Sequence, residues 1–165
     1  MNKVENNEKL LKQLEKNGRI TGEQLASVLG ESAEEIRDTI AELERDKVIV
    51  GYNALIDWDK TDRELVTALI EVKVTPQRGD GFDRVAARIY QYPEVTSVYL
   101  LSGGFDLVVM IEGKTLKEVA HFVSSKLATI DAVTGTATHF VLKKYKDKGV
   151  LFEEDPEEDR RIVVI

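Results

Sequence analysis

The spacing of apolar residues changes from helical to alternating near Val48, and this change limits the possible folds more than any other feature. Before it, apolar residues recur every three or four positions, as on one face of an amphipathic helix. After residue 64, alternating apolar and polar residues predict strands, which two further helical stretches interrupt. The 165 residues therefore predict a small helical domain followed by a mixed helix and strand domain.

The first fifty residues predict three short helices. The apolar stripe of the first one stops at Asn17-Gly18, a pair that favours the end of a helix. Thr21 to Gln24 and Ser32 to Glu35 both have the spacing of a capping box, which satisfies free N–H groups at a helix start. Only Gly30-Glu31 separates the second helix from the third. Two helices joined by so short a turn, after a preceding helix, are typical of a helix-turn-helix domain.

A short segment follows in which the period becomes alternating. Val48 to Ile56 predicts a wing or a connecting strand, because it is rich in β-branched and aromatic residues. The polar run Asp57 to Asp62 comes next and suits a domain boundary.

The remaining elements predict a strand, a helix, two strands, a helix and a final strand. This β-α-β-β-α-β order is ferredoxin-like, and together with the helical first domain it places the chain in the α+β class. A turn is expected at Gly79-Asp80-Gly81. The expected elements are strand Leu65 to Val74, helix Phe82 to Tyr90, strands Val95 to Leu101 and Leu107 to Glu112, a helix capped by Thr115 and Glu118 that reaches Leu127, and strand Thr134 to Lys144.

Both faces of the predicted sheet carry apolar residues. Leu65 to Val74 places apolar side chains on each side, and Leu107 to Ile111 is apolar throughout. Because two helices cover only one face of a four-stranded sheet, the other face predicts a second copy of the chain. The alternative is a monomer with an exposed apolar face, which is uncommon.

These elements predict four regions. Residues 1–50 form a helix-turn-helix domain, 51–62 a connecting strand and linker, 63–146 a ferredoxin-like domain for effector binding and oligomerisation, and 147–165 an acidic tail. Six of the seven residues from 153 to 159 are acidic, which is typical of a solvated segment. The apolar end, residues 162–165, could add to a sheet edge or be disordered.

Composition limits the function. The formal charge is -7, which argues at first sight against a nucleic-acid partner. Cysteine is absent, so disulfides and thiolate chemistry are excluded, and with no membrane-length apolar run or signal peptide we expect a cytoplasmic protein. No phosphate-binding loop or hydrolase elbow is present, and His121 and His139 lie on different elements. We expect neither an enzyme, nor a cofactor, nor a metal site.

The order of these motifs resembles the Lrp/AsnC (feast/famine) family of transcription regulators. The resemblance covers roughly residues 10–146. It is carried by Asn17 to Thr21, Leu25 to Gly30, Ile36 to Leu43, Val48 to Tyr52, the loop Ser102 to Asp106, and Thr136 to Leu142. The resemblance implies a DNA-binding third helix, a ferredoxin-like domain that dimerises and often assembles into tetramers or octamers, and a small effector, such as an amino acid, bound between those domains.

Two sets of candidate residues follow from the resemblance and from the residues themselves. The DNA-binding candidates are Thr21, Ser32, Glu34, Glu35, Arg37, Asp38, Thr39 and Arg45. The effector candidates are Ser102, Gly103, Gly104, Asp106, Thr136 and Thr138. Glycines allow close approach of a ligand, Asp106 can accept from an ammonium group, and two threonines spaced by two on a strand point the same way. The alternative is an ordinary hairpin turn with strand-forming threonines.

The chain departs from the family pattern in two places. Family members usually carry basic residues near the positions of Asp38 and Thr39, whereas the third helix here is rich in acids. An alternative is therefore an oligomeric small-molecule-binding protein whose helix-turn-helix no longer binds DNA. The segment Lys3 to Asn7 also lacks the usual Leu-Asp-x-x-Asp pattern, so the first helix is expected to start late or fray.

Overall fold

The computed structural model describes residues 3–75 and 81–152. The chain divides into two compact units, Met1–Ile56 and Asp57–Ile165. The expected turn at residues 79–81 and the acidic and apolar parts of the tail, residues 153–165, fall wholly or mostly outside the described residues.

The first unit contains three helices, α1 (Lys3–Lys16), α2 (Gly22–Leu29) and α3 (Ala33–Arg45). Helix α1 begins at Lys3, so the expectation of a late start is wrong. Glu5 in its first turn complements the helix dipole, and Glu5 and Lys9 form an ion pair one turn apart, which together support an early start without the family pattern. Both predicted capping boxes are confirmed, at Thr21 and at Ser32.

One apolar cluster holds the three helices together. Its buried members are Leu10 of α1, Leu25 of α2, and Ile36 and Leu43 of α3. Gly30 ends α2 with a left-handed φ of 73°, a conformation that glycine adopts without strain, and so allows α3 to start three residues later.

Helix α3 ends in a Schellman motif. The Val48 amide donates to the Leu43 carbonyl at 2.9 Å, and the Lys47 amide donates to the Glu44 carbonyl at 3.1 Å. Lys47 occupies the left-handed position of this motif, with a φ of 58°. Glycine is the usual residue there, so Lys47 carries backbone strain.

The segment that follows is irregular, and the prediction of a wing or connecting strand at Val48 to Ile56 is wrong for the single chain. A strand needs a hydrogen-bonded neighbour, and none of the described strands pairs with this segment. Besides the bond from the Val48 amide, the segment contacts α3 through Tyr52, whose hydroxyl donates to Glu44 Oε1 at 2.9 Å. Burial of the ring, followed by this hydrogen bond, raises the pKa of Tyr52.

The second unit has the expected β-α-β-β-α-β order, so the fold class is confirmed. A short 3-10 turn, Trp58–Lys60, precedes it. The elements are β1 (Val66–Val74), α4 (Gly81–Ile89), β2 (Val95–Leu100), β3 (Leu107–Gly113), α5 (Leu116–Phe122) with a π-helical turn (Val123–Leu127), and β4 (Val133–Phe140).

The four strands form one antiparallel sheet in the order β2-β3-β1-β4. Strand β4 ends at Phe140, earlier than the expected Lys144. Its partner β1 starts at Val66, and the Val141 amide donates the last bond, to the Thr67 carbonyl at 2.9 Å. Beyond this point β4 has no neighbour among the described strands. A small hairpin follows, β5 (Lys146–Asp147) and β6 (Val150–Leu151), in the region expected to be tail.

Alternate residues of β1 divide the sheet into two faces. Ala68, Ile70, Val72 and Val74 pack with α4 and α5 in the core of the unit. The opposite face, here called the open face, contains residues that the described helices leave uncovered. Its members on β1 and β3 are Thr67, Leu69, Glu71, Lys73, Val108, Met110 and Glu112.

The last helix widens into a π-helical turn where serines interfere with the backbone ladder. The hydroxyls of Ser124 and Ser125 both donate to the His121 carbonyl, at 3.1 and 2.6 Å. A carbonyl occupied by side-chain hydroxyls competes with the regular helical bond, which is a common cause of such irregularities.

Candidate functional sites

The start of α3 is held by hydrogen bonds from its own side chains. The Glu35 amide donates to Ser32 Oγ at 3.2 Å, and the Ser32 amide donates to Glu35 Oε2 at 2.9 Å. The bond from the Ser32 amide, followed by that from its hydroxyl, lowers the pKa of Glu35. The Glu35 carboxylate is thus engaged with the helix start, while helix geometry leaves the Ala33 and Glu34 amides without intrahelical acceptors.

Thr21 has the same role at the start of α2. Its Oγ1 accepts from the Gln24 amide at 3.2 Å, and its own amide donates to Gln24 Oε1 at 2.9 Å. Thr21 and Ser32 are both exposed, so each could also contact a partner outside the chain. Their observed contacts are those of helix caps.

Arg37 lies along α3 towards α2. Its Nε donates to the Ala33 carbonyl at 3.1 Å, and its Cγ lies 3.6 Å from the position that a Cβ on Gly22 would occupy. That distance is an ordinary van der Waals contact, so the stem of Arg37 rests against the first turn of α2 without requiring glycine at position 22. Arg37 is exposed and lies between the outer surfaces of α2 and α3.

The remaining candidates on α3 form an acidic outer surface. Glu34 and Asp38 are exposed one turn apart, Thr39 is half-buried at the flank, and Arg45 points outward, its Nε 3.8 Å from Asp46 Oδ1. Because Ala33–Arg45 contains five acids and two arginines, its side chains carry a formal charge of -3. Most of the DNA-binding candidates therefore lie near the start of α3, whereas Arg45 is its last residue, and the surface they share carries an excess of negative charge.

The effector candidate Asp106 is tied into the sheet. Its Oδ2 accepts from the Val74 amide at 2.8 Å, and its own amide donates to the Val72 carbonyl at 3.1 Å. Lys73 lies alongside, with its Nζ 3.6 Å from Asp106 Oδ2 and 2.9 Å from the Gly104 carbonyl oxygen. The loop before β3 is therefore fastened to the end of β1 by a charged side chain and three hydrogen bonds.

The other effector candidates lie around the same end of the sheet. Ser102, Gly103 and Gly104 are exposed in the loop, and a Cβ on either glycine would meet nothing within 4 Å. Neither glycine has a left-handed φ. Packing in the described part of the chain therefore gives no reason for glycine at these two positions.

The two threonines lie on the helix-covered face of β4. Thr136 pairs with Val72 and Thr138 with Ile70, and directly paired residues point to the same side of a sheet. Lys73, which contacts the loop, projects to the open face. The single chain thus brings the loop and Thr136 to one end of the sheet, but it does not gather all six candidates around one cavity.

Sequence reasoning missed a hydrogen-bonded pair on the open face. His139 Nε2 lies 3.1 Å from Glu71 Oε2, across the β1–β4 pairing. The alternation in β1 places Glu71 and Lys73 on one face, but the pairing of β1 with β4 was needed to place His139 beside them. The open face therefore carries the charged side chains of Glu71 and Lys73 beside its apolar residues.

No helix within residues 3–75 and 81–152 combines the length and apolar character needed to cross a membrane. The same ranges contain no cluster of three or more His, Asp or Glu side chains placed to hold a metal ion.

Comparison with known proteins decides the family. Residues 67–151 match the Lrp/AsnC ligand-binding domain. An HTH-type transcriptional regulator of Bacillus subtilis, YugG, is 50% identical over 165 residues, which cover 99% of each chain. The chain belongs to the Lrp/AsnC family. The resemblance stated from the sequence is therefore confirmed.

Two further relatives describe the Lrp/AsnC family more widely. The leucine-responsive regulatory protein of Haemophilus influenzae is 27% identical, over 87% of this chain and 86% of its own. A transcriptional regulator of Neisseria meningitidis, solved as a complex with L-Met, is 26% identical with a TM-score of 0.70, over 89% of this chain and 93% of its own. These Lrp/AsnC relatives are transcriptional regulators rather than enzymes, as expected for this chain.

Proposed function

We propose that this protein is a cytoplasmic, sequence-specific DNA-binding transcription regulator. It acts as a homo-oligomer on double-stranded DNA, and a small effector, an amino acid, changes its activity. The observation that carries the proposal is the 50% identity to a named HTH-type transcriptional regulator over 99% of both chains, because it includes the helix-turn-helix as well as the ligand-binding domain.

The geometry of the first unit supports DNA binding through α3. The two capping boxes fix the starts of α2 and α3, and the outward Ala33 and Glu34 amides are donors suited to a phosphate. The candidate contacts are Thr21, Ser32, Glu34, Glu35, Arg37, Asp38, Thr39 and Arg45. Carboxylates such as Glu34 and Asp38 can accept from the N4 amino group of cytosine in the major groove.

The charge of α3 sets the strength of this binding. A formal charge of -3 repels phosphates, so each half-site should bind weakly. Several half-sites held by one oligomer would compensate for the weak affinity of each. Within this proposal, removing both charges with Glu34→Gln and Asp38→Asn should tighten overall DNA binding.

Chromatin immunoprecipitation of the tagged protein tests DNA binding in the cell. The wild type should enrich a set of promoters, and Arg37→Glu should lose them because it adds negative charge where the two helices of the motif meet. Arg88→Glu makes the same change on exposed α4 and should keep the peaks. Wild-type enrichment no higher than an untagged strain would reject the proposal.

The second candidate function is an oligomeric small-molecule-binding protein whose helix-turn-helix does not bind DNA. The acidic surface of α3 is the observation that favours it. In that case immunoprecipitation finds no promoters, while amino acids still stabilise the protein.

The effector site of the proposal lies at the end of the sheet where β1 ends. The loop with Asp106 forms one side, and the open space around Gly103 and Gly104 is available to a ligand or to a second copy. Asp106 Oδ2 is used by the Val74 amide, which leaves Oδ1 to accept from a ligand ammonium. The residues proposed are Ser102, Gly103, Gly104, Asp106, Thr136 and Thr138.

Thermal unfolding with L-methionine and L-leucine tests this site. Asp106→Asn keeps an oxygen for the Val74 amide but removes the charge, so it should reduce the stabilisation that either amino acid gives. Asp83→Asn removes the same charge on exposed α4 and should leave the stabilisation unchanged. An equal effect of both variants would place the effector elsewhere.

The open face supports the homo-oligomer. Leu69, Val108 and Met110 lie on it in one patch. A second copy of the same sheet is the simplest partner, because it presents the same apolar patch. Sedimentation at micromolar concentration should find a dimer or a larger assembly. A monomer under these conditions would contradict this part of the proposal.

A further inference from the structure

The second unit contains a cavity at the end of the sheet opposite the Asp106 loop. Its volume is about 810 Å³, within the range of small-molecule sites. Its walls come from the segment before β1, the start of β2, the end of β3 and helix α5. Strand β1 has nine residues and separates the two ends by roughly 26 Å at its usual rise. The cavity is therefore distinct from the effector site proposed above.

The floor of this cavity is apolar. Ile111 of β3 and Val119 and Phe122 of α5 lie beneath it with at most 4% of their surface exposed, and the half-buried Leu65 and the exposed Pro93 supply accessible apolar surface. Such a floor accepts an aliphatic or thioether side chain without leaving a polar group unpaired.

One wall of the cavity carries an ion pair with both partners accessible. Lys126 Nζ lies 2.6 Å from Glu94 Oε1, and the two side chains are 34% and 36% exposed. The hydrogen bond from Lys126 lowers the pKa of Glu94, so the carboxylate is charged at neutral pH. Lys126 Nζ is also 4.9 Å from the ring centre of Tyr92 and 5.3 Å from that of Phe122, which fixes its position.

Glu94 has an acceptor that the described chain leaves unused. Its Oε2 is shielded from solvent and has no hydrogen-bond partner among the described residues. The Glu94 side chain is 36% exposed, so a small shift of the whole side chain would bring this oxygen to a donor in the cavity. Such an acceptor favours a ligand that brings an N–H donor.

The cavity also offers a second fixed cation. Arg63 lines it, and its guanidinium carbon lies 4.4 Å from the ring centre of Trp58. Arg63 and Lys126 are thus both held by aromatic rings, which reduces the conformational entropy they would lose on binding a carboxylate. A ligand with an ammonium and a carboxylate could pair with Glu94 and with these cations, leaving the net charge of the cavity unchanged.

We infer that this cavity is a binding site for a zwitterionic α-amino acid with an apolar side chain, separate from the site at the Asp106 loop. The ammonium pairs with Glu94, the carboxylate with Lys126 and Arg63, and the side chain lies against the accessible apolar surface of Leu65 and Pro93. The inference does not require that the protein bind DNA or that the loop bind an effector.

Calorimetric titration of the full chain with L-leucine and L-methionine tests this site. Glu94→Gln and Lys126→Gln should each weaken one binding component about tenfold or more, the loss expected for one charged hydrogen bond. Lys126→Arg should retain it. Lys117→Gln, on the exposed side of α5 outside the cavity, and Asp106→Asn should leave that component unchanged.

A second arm uses the wild type alone and does not depend on any variant folding. 4-Methylpentanoic acid lacks the ammonium of leucine and 3-methylbutan-1-amine lacks its carboxylate, so each should compete at least tenfold more weakly than leucine. Binding by none of the twenty standard amino acids, or binding that Asp106→Asn removes entirely while Glu94→Gln and Lys126→Gln leave it intact, would overturn the inference. Loss of promoter enrichment would reject DNA binding and leave this result untouched.

Discussion

In the two candidate regions, the polar side chains bond partners at very different separations along the chain. At the start of α3, Ser32 and Glu35 bond each other's backbone across three residues. At the loop before β3, Asp106 bonds the Val74 amide, 32 residues away. The first arrangement forms as soon as the local helix forms, whereas the second exists only when the sheet is assembled. Stability of the loop therefore depends on the whole second unit, while that of the α3 start is local.

The largest expected effect on the free energy of unfolding comes from truncating a buried side chain in either of the two cores. Leu25→Ala in the first unit and Ile70→Ala in the second should each cost about 3 kcal/mol, because both side chains are fully buried. If the units unfold independently, urea unfolding followed by circular dichroism has two transitions and each variant lowers one. A single transition lowered equally by both would mean that the units unfold together.

A smaller effect is expected at the loop. Asp106→Ala should destabilise the second unit by about 2 kcal/mol, since it leaves the Val74 amide without its charged acceptor. Asp106→Asn should cost less because it keeps an oxygen at that position. Hydrogen exchange at Val74 measures the change directly, and equal protection in Asp106→Ala and the wild type would contradict this account of the loop.

The end of α3 offers a stabilising change. Lys47→Gly should raise the stability of the first unit by about 1 kcal/mol, because Lys47 occupies a left-handed position. Gly51→Ala nearby is the control, because it exchanges glycine in the opposite direction. At that position φ is not left-handed and a Cβ meets nothing within 4 Å. A lower midpoint for Lys47→Gly would indicate that its side chain matters more than its backbone.

The smallest effect is a pH dependence confined to the α3 start. The Ser32 hydrogen bonds lower the pKa of Glu35, so this carboxylate stabilises the fold above its unfolded pKa and loses that contribution as pH falls through the folded one. The first transition should therefore weaken on acidification below about pH 4.5, and Glu35→Gln should reduce that dependence. Glu34→Gln is the matched control, and an equal loss of pH dependence in both variants would show that the box is not its source.

The local features of the fold could be predicted from the sequence. Both capping boxes and the order of strands and helices follow from short-range spacing, and Gly30 marks the turn between α2 and α3. The predictions failed where the structure depends on which strands pair with each other. The segment Val48 to Ile56 has strand-forming residues without a partner strand, and β4 stops at Phe140 because β1 begins at Val66.

The candidate sites were harder to predict for the same reason. The sequence places Thr136 and Thr138 on one face of a strand, but only the register with Val72 and Ile70 identifies it as the helix-covered face. The cavity beside Glu94 joins residues from four distant segments, and its ion pair with Lys126 spans 32 positions. Spacing along a single element cannot reveal such a contact.

The π-helical turn has a consequence for how the chain tolerates changes in length. Phe122 and Leu127 are both buried although they are five residues apart, a spacing that would place them about 140° apart around a regular helix. The wider turn brings both to the core side, as if one residue had been inserted and absorbed within a single turn. Deleting Ser124 should therefore restore a regular helix with both apolar side chains still in the core, so this helix interior has room for a one-residue deletion.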